Sequence, residues 1–254
     1  MEIYYYIIFF ILGTLMGSFY TVVGMRLPIN EPFLFSRSKC DNCKHKLSLF
    51  DMVPILSYIF LRGKCRYCKK RIDMLSTYIE FFTGVLFALS FYSFGFSLDL
   101  LLALGIVSLL VILMVSDLTY LIITNEVLVL FSIYFIIIDF ISLGLVNTLI
   151  HIATGIFLFL VMYLIMIFGN KAFKKESMGG GDVKLMFLFG LVLDPLLGSM
   201  TIFLGSLFAL PMSYYLYKSK KEKLVPFGPF LLLAFAFIFF TKITSQNIID
   251  FLGF

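Results

Sequence analysis

Apolar residues run almost unbroken through roughly 4–24, 77–95, 98–116, 124–143 and 147–168, and again through 183–193, 196–217 and 227–245. Short turn-forming stretches divide them. Phe94-Gly95-Phe96-Ser97 separates the second run from the third, Leu143 to Asn147 with Gly144 the fourth from the fifth, and Asp194-Pro195 the sixth from the seventh. The runs lack the alternating polarity of barrel strands. A backbone that crosses lipid must satisfy its own hydrogen bonds, so each run predicts a helix. A span needs about 20 apolar residues, and 183–193 is too short to cross an ordinary bilayer unaided. The pattern therefore predicts an all-α polytopic membrane protein of eight spans, with seven as the alternative count.

One long polar stretch interrupts the pattern. The expected organisation is a first transmembrane helix in 1–25, a cytoplasmic insertion in 26–75 and a transmembrane domain in 76–254. The first run, Tyr4 to Val23, follows Met1-Glu2 with no basic segment, and no small-residue cleavage site follows it. It is expected to be a retained span and not a signal peptide.

Composition agrees. The 254 residues are 61% hydrophobic and 14% charged, against about 45–50% and 25% in soluble domains; mean hydropathy is +1.04. Charge then orients the chain. Of the 20 basic residues, all but Lys242 fall in 26–71, around the loop after the fifth run (Lys171, Lys174, Lys175, Lys184) or after the seventh (Lys218, Lys220, Lys221, Lys223). Eight spans place these groups on one face, which the positive-inside rule makes cytoplasmic. The N-terminus is then expected outside, the insertion inside, and the chain in a cytoplasmic membrane. The net charge of +5 calls for no nucleic acid. It follows from topology, with attraction to membrane lipid headgroups.

All four cysteines lie in the insertion, as Cys40-Asp-Asn-Cys43 and Cys65-Arg-Tyr-Cys68, 21 residues apart. Two such pairs can each present two sulfurs to one tetrahedral Zn²⁺. The expected role is structural, because so short and polar a segment has little core of its own. A disulfide framework does not suit the reducing cytosol. Four ordinary thiols, or a redox dithiol, are the competing possibilities, and His45 is close enough to compete as a ligand.

Most of the 15 acidic residues are expected in polar loops or at outer span ends, Asp139 among the latter at the interface. Glu80, Asp117, Glu126 and Asp182 remain. Asp117 closes the third run and Asp182 opens the sixth, at the same predicted cytoplasmic depth. Two carboxylates brought together share a proton, so one can act as base on a water and the other as acid toward a carbonyl. Three glycines, Gly179 to Gly181, let another backbone approach Asp182. The alternative is two solvated aspartates at unrelated helix ends.

These residues, in order, resemble the type IV prepilin peptidases. Gly17-Ser18-Phe19 with Arg26-Leu27-Pro28 resembles the family's opening motif. Ser36 to Cys43, Asp51 to Tyr58 and Leu61 to Cys68 resemble its cysteine-bearing segment. Met178 to Leu185, with Gly179, Gly181 and Lys184 beside Asp182, resembles its Gly-x-Gly-Asp motif, and Pro226 to Phe230 its last-span motif. The resemblance implies a membrane aspartic endopeptidase that removes the basic leader of prepilins or pseudopilins, with Asp117 and Asp182 as its catalytic pair. It also implies N-methylation of the new N-terminal residue, usually Phe, from S-adenosyl-L-methionine, with the insertion linked to that step. Glu80 is implied at the methylation or substrate site; pairing with a cytoplasmic lysine is the alternative. No residue set for S-adenosylmethionine follows from the sequence.

The chain departs from the family in places. Asp41 stands where Pro is common, there is no Trp, and Ile123-Thr124-Asn125 stands where the family often has Ile/Leu-Pro-Asp. Two other classes compete. A proton-coupled transporter would carry its carboxylates near the bilayer midplane, and a non-catalytic zinc-bearing membrane scaffold would not need Asp117 and Asp182 together.

Overall fold

The computed structural model describes residues 2–33, 38–40, 42–174, 178–218 and 226–252. Its elements are helical: α1 (Glu2–Arg26), α2 (Leu56–Phe60), α3 (Leu75–Phe94), α4 (Leu98–Tyr120), α5 (Asn125–Phe173), α6 (Gly180–Gly190), α7 (Pro195–Lys218), α8 (Gly228–Thr241) and α9 (Ser245–Leu252), with two short 3₁₀ turns. Strand pairing among the described residues is limited to two single bridges, Lys39 with Lys46 and Lys64 with Arg71. The expected all-α membrane architecture is present. Five helices, α1, α3, α4, α5 and α7, are long and apolar enough to cross a bilayer.

The boundaries follow local chemistry. α1 ends where Pro28 restricts the residue before it. α3 opens with the Asp73 carboxylate accepting from Leu75 N–H, 3.2 Å, and stops at Gly95. The fourth and fifth apolar runs form one helix broken at Gly144, whose φ of 78° and ψ of 174° only glycine adopts without strain. α6, with 11 residues, is about 16 Å long at about 1.5 Å per residue, so it does not span a bilayer by itself.

The chain divides into two compact units, residues 1–100 and 101–254. In the first, α1 packs along α3 through small residues. A side chain on Gly13 would meet Phe87 Cβ and Thr83 O at 2.7 Å, and one on Gly17 would meet Thr83 Oγ1 at 2.8 Å. Gly13 and Gly17 are one turn apart, the small-xxx-small spacing that lets membrane helices approach closely. The insertion follows α1.

In the second unit, α6 is enclosed. A side chain on Gly190 would meet Gly155 Cα of α5 at 2.5 Å. The Phe189 ring of α6 stacks on Phe235 of α8 at 4.4 Å, and both are fully buried with Phe135 of α5. Asp139 departs from expectation. It is buried, 4% exposed, with Oδ2 at 3.1 Å from His151 Nδ1 across the Gly144 break. A carboxylate facing a histidine has a partner inside the helix pair and does not need the interface.

Candidate active site and metal centre

Asp117 lies in the last turn of α4. The chain reverses just after it: Leu121, at φ 57°, returns its N–H to Asp117 O at 2.9 Å, and the Ser116 hydroxyl donates to Ile122 O. The turn therefore forms without the proline common at position 124. Asn125 then opens α5, and its Oδ1 accepts from Lys184 Nζ at 2.8 Å. That bond ties the start of α5 to α6 two residues beyond Asp182. Asp182 is the third residue of α6; its carboxylate accepts from Gly179 N–H. Glu126, the remaining candidate from this end, is exposed.

Both aspartates are buried, Asp117 at 6% and Asp182 at 7% exposure, and they converge on Gly228, the first residue of α8. The Gly228 N–H donates to Asp117. A β-carbon on Gly228 would lie 3.0 Å from Asp117 Oδ2, 3.2 Å from Asp182 Oδ1 and 2.9 Å from Ile123 Cδ1. One point beside the Gly228 backbone thus lies in contact distance of both carboxylates, which brings the two into the same small volume. Of the three glycines before Asp182, only Gly181 is closely approached, by Ile123 Cβ at 2.7 Å from its β-position; Gly180 faces open space. Sequence inspection finds the two aspartates but misses Ser116, Ile123, Asn125 and the exact part of Gly228, since none is a residue type that signals catalysis. A groove of about 560 Å³ lined by Leu128, Ile133, Phe159, Lys184, Phe187 and Leu188 lies on another face of α6 and includes neither aspartate.

In the first unit the four cysteines meet. Their sulfurs all lie within 4.8 Å of one another, with Cys40 and Cys68 at 3.9 Å, close to the roughly 3.8 Å between sulfurs in a tetrahedral site with Zn–S bonds of about 2.3 Å. The two pairs are built alike. Cys40 N–H bonds His45 O and its carbonyl accepts from Lys44; Cys65 N–H bonds Lys70 O and its carbonyl accepts from Lys69. Lys44 and Lys69 both take positive φ, 56° and 59°. The backbone N–H groups of Cys43 and Asn42 lower the Cys40 thiol to about 6. For Cys43, the His45 N–H acts downward, but desolvation and the adjacent thiols outweigh it and hold the group at about 11. The donor set fits one metal ion. His45 instead packs against Tyr67, ring centroids 3.7 Å apart and planes tilted by 38°.

Two further groups brace this unit. Arg66 Nε lies 2.8 Å from Asp51 Oδ1, and Ser48 donates to Asp51 Oδ2 from both N–H and hydroxyl. Burial opposes ionisation of Asp51, but these bonds and the guanidinium outweigh it and hold the carboxyl below its usual range. Glu80 is buried in α3 and accepts from Ile55 N–H at 2.9 Å and from Ser18. Among the described residues no lysine pairs with it. Ile55 is held at φ 61° and ψ −53°, a conformation that costs a β-branched residue energy.

Comparison with known proteins gives the family. Residues 104–214 match the profile described as Type IV leader peptidase family, and residues 11–94 that of the Bacterial Peptidase A24 N-terminal domain. The Prepilin leader peptidase/N-methyltransferase of Bacillus subtilis (strain 168) is 33% identical over 192 residues, 73% of this chain and 73% of that one. The chain belongs to the type IV leader peptidase family. A protein of the same name from Vibrio cholerae serotype O1 is 30% identical over 266 residues, 95% of this chain and 98% of its own. Another, from Myxococcus xanthus (strain DK1622), is 33% identical over 184 residues, 71% of this chain and 54% of its own. No solved structure matches. The enzyme class expected from the motifs, a membrane protease with methyltransferase activity, is borne out by this membership.

Proposed function

We propose that this peptidase removes the leader of prepilins or pseudopilins with Asp117 and Asp182 as its catalytic pair. It then N-methylates the exposed N-terminal residue from S-adenosyl-L-methionine. The observation that carries the cleavage reading is the convergence of two buried carboxylates on the single point beside Gly228. In the proposed reaction one carboxylate is ionised and takes a proton from a water between the pair. The water oxygen adds to the scissile carbonyl while the protonated partner gives its proton to the carbonyl oxygen. Collapse of the tetrahedral intermediate breaks the C–N bond and passes a proton to the leaving amine.

The methylation reading is supported by the names of the Bacillus subtilis and Vibrio cholerae relatives. Zn²⁺ is the metal we propose for Cys40, Cys43, Cys65 and Cys68. It would cross-link the two halves of insertion 26–75, which lies between the helix of 1–25 and the transmembrane peptidase domain of 76–254. With eight spans the basic residues gather on one face, which supports an outside N-terminus and a dyad at the cytoplasmic face. The substrate's geometry supports that placement. Its basic leader stays inside and its apolar helix lies in lipid, so the scissile bond sits at the inner interface. Acidic side chains suit that basic leader: Asp73 is exposed, Asp51 is engaged by Arg66, and Asp41, Glu176 and Glu222 lie outside the described residues.

The transporter alternative calls for carboxylates near the bilayer midplane, whereas the convergence of Asp117 and Asp182 beside Gly228 favours the peptidase.

The test is incubation of purified protein in detergent with a prepilin and S-adenosylmethionine, followed by mass measurement. Loss of the leader and gain of one methyl is the expected product. Asp117→Asn and Asp182→Asn should each lower cleavage by at least about a hundredfold while the protein still inserts. Retention of most activity by either variant removes the dyad from the account.

A further inference from the structure

The turn between α4 and α5 does more than reverse the chain. Leu121 and Ile122 point outward and are exposed, 49% and 44%, whereas Ile123 is half-buried and wedged between the openings of two other helices. Its Cβ and Cγ1 lie 2.7 and 3.2 Å from the β-position of Gly181 on α6, and its Cδ1 lies 2.9 Å from the β-position of Gly228 on α8. That second position is the point that both carboxylate oxygens border. Ile123 therefore brings one methyl group to the place where the two carboxylates converge, and it does so from a loop clamped at both ends. The Leu121 N–H bond to Asp117 O holds one end, and the Asn125 bond to Lys184 holds the other. Glycine at 181 and 228 leaves the room that this side chain occupies.

A peptide bond held between the carboxylates has a side chain on each side of it. One of those side chains must pass the δ-methyl of Ile123. We propose that Ile123 is a specificity-determining residue: its δ-methyl is the wall that limits the size of the substrate side chain next to the scissile bond. The proposal rests on the reading of Asp117 and Asp182 as the cleaving pair, and it assigns Ile123 no part in proton transfer.

Ile123→Val is the sharp test, because it removes Cδ1 alone and keeps the Cβ that packs on Gly181. Full-length wild type, Ile123→Val and Ile123→Phe are assayed in detergent on synthetic peptides with a basic leader and an apolar helix. The peptides carry Gly, Ala, Leu or Phe at the position before the scissile bond in one series and after it in another. Wild type and the two aspartate variants are run alongside. In one of the two series, Ile123→Val should raise kcat/KM for the larger side chains relative to the smallest by about tenfold, the usual effect of one methylene in an apolar pocket. Ile123→Phe should shift the same ratio the other way. If Ile123→Phe does not fold, the valine variant still decides. Size ratios unchanged in both series, with the aspartate variants inactive, overturn the role of Ile123 and leave the dyad standing. Cleavage by the aspartate variants, or no cleavage by wild type, overturns the dyad reading itself and the proposal with it.

Discussion

Gly228→Ala separates activity from stability. Its methyl would stand 3.0 Å from Asp117 Oδ2, 3.2 Å from Asp182 Oδ1 and 2.9 Å from Ile123 Cδ1. The Ile123 end can rotate away, but the two oxygens are tighter to the methyl than ordinary carbon–oxygen contact and must yield by a few tenths of an ångström. The methyl also intrudes on the space between the carboxylates where a bridging water would sit. Displacements of about 1 Å at a reacting centre cost about a hundredfold in rate, and expulsion of the water adds to that, so kcat should fall by about a hundredfold or more. The fold should not suffer, because alanine is favoured over glycine by up to about 1 kcal/mol in a helix and the Gly228 N–H to Asp117 is retained. Gly180→Ala is a matched control. Gly180 is likewise the first residue of its helix, but its β-position meets nothing within 4 Å. Both variants are assayed for leader cleavage and for thermal unfolding in the same detergent. The expected outcome is equal or higher Tm for both, with activity lost only in Gly228→Ala. Equal cleavage rates for the two variants would refute the placement of the reacting water beside Gly228.

Other outcomes follow from the same geometry. Metal analysis should find about one zinc per chain, lost in the Cys40→Ser/Cys65→Ser double variant; a metal-free protein with four freely reactive thiols contradicts this. Methylation should suffer more than cleavage in that double variant, since the aspartates lie in other segments. Asp51→Asn should release the metal to a chelator faster than wild type. Because the folded Asp51 carboxyl lies below its usual range, its stabilising contribution is complete above that range and fades as pH falls through the lowered value. The difference between wild type and Asp51→Asn should therefore persist at neutral pH and shrink in acid. A single cysteine at Ser97, in an active background without other cysteines, should label only from outside the cell; labelling from inside inverts the topology.

Much of this protein is legible along the chain because lipid makes severe demands. A spanning backbone must be helical, so the apolar runs predict α1, α3, α4, α7 and the division of α5 at Gly144, where the backbone needs a conformation that other residues resist. The cysteine spacing predicts the four-sulfur cluster, because two knuckles of like geometry suffice to gather the ligands. Sequence also singles out Asp117 and Asp182 by the rarity of carboxylates at such positions. It does not reveal what brings them to one point. That depends on α8 delivering Gly228 between them, on Ile123 filling the room beside Gly181, and on Lys184 reaching Asn125, contacts between residues far apart in the chain and mostly without chemical signature. Asp139 shows the converse. Its position near a run's end suggests the interface, and only the folding back of α5 at Gly144 supplies His151 as its buried neighbour. Local chemistry sets each helix and its ends, whereas the site is made by side chains and bare glycine backbones that meet only once the helices pack.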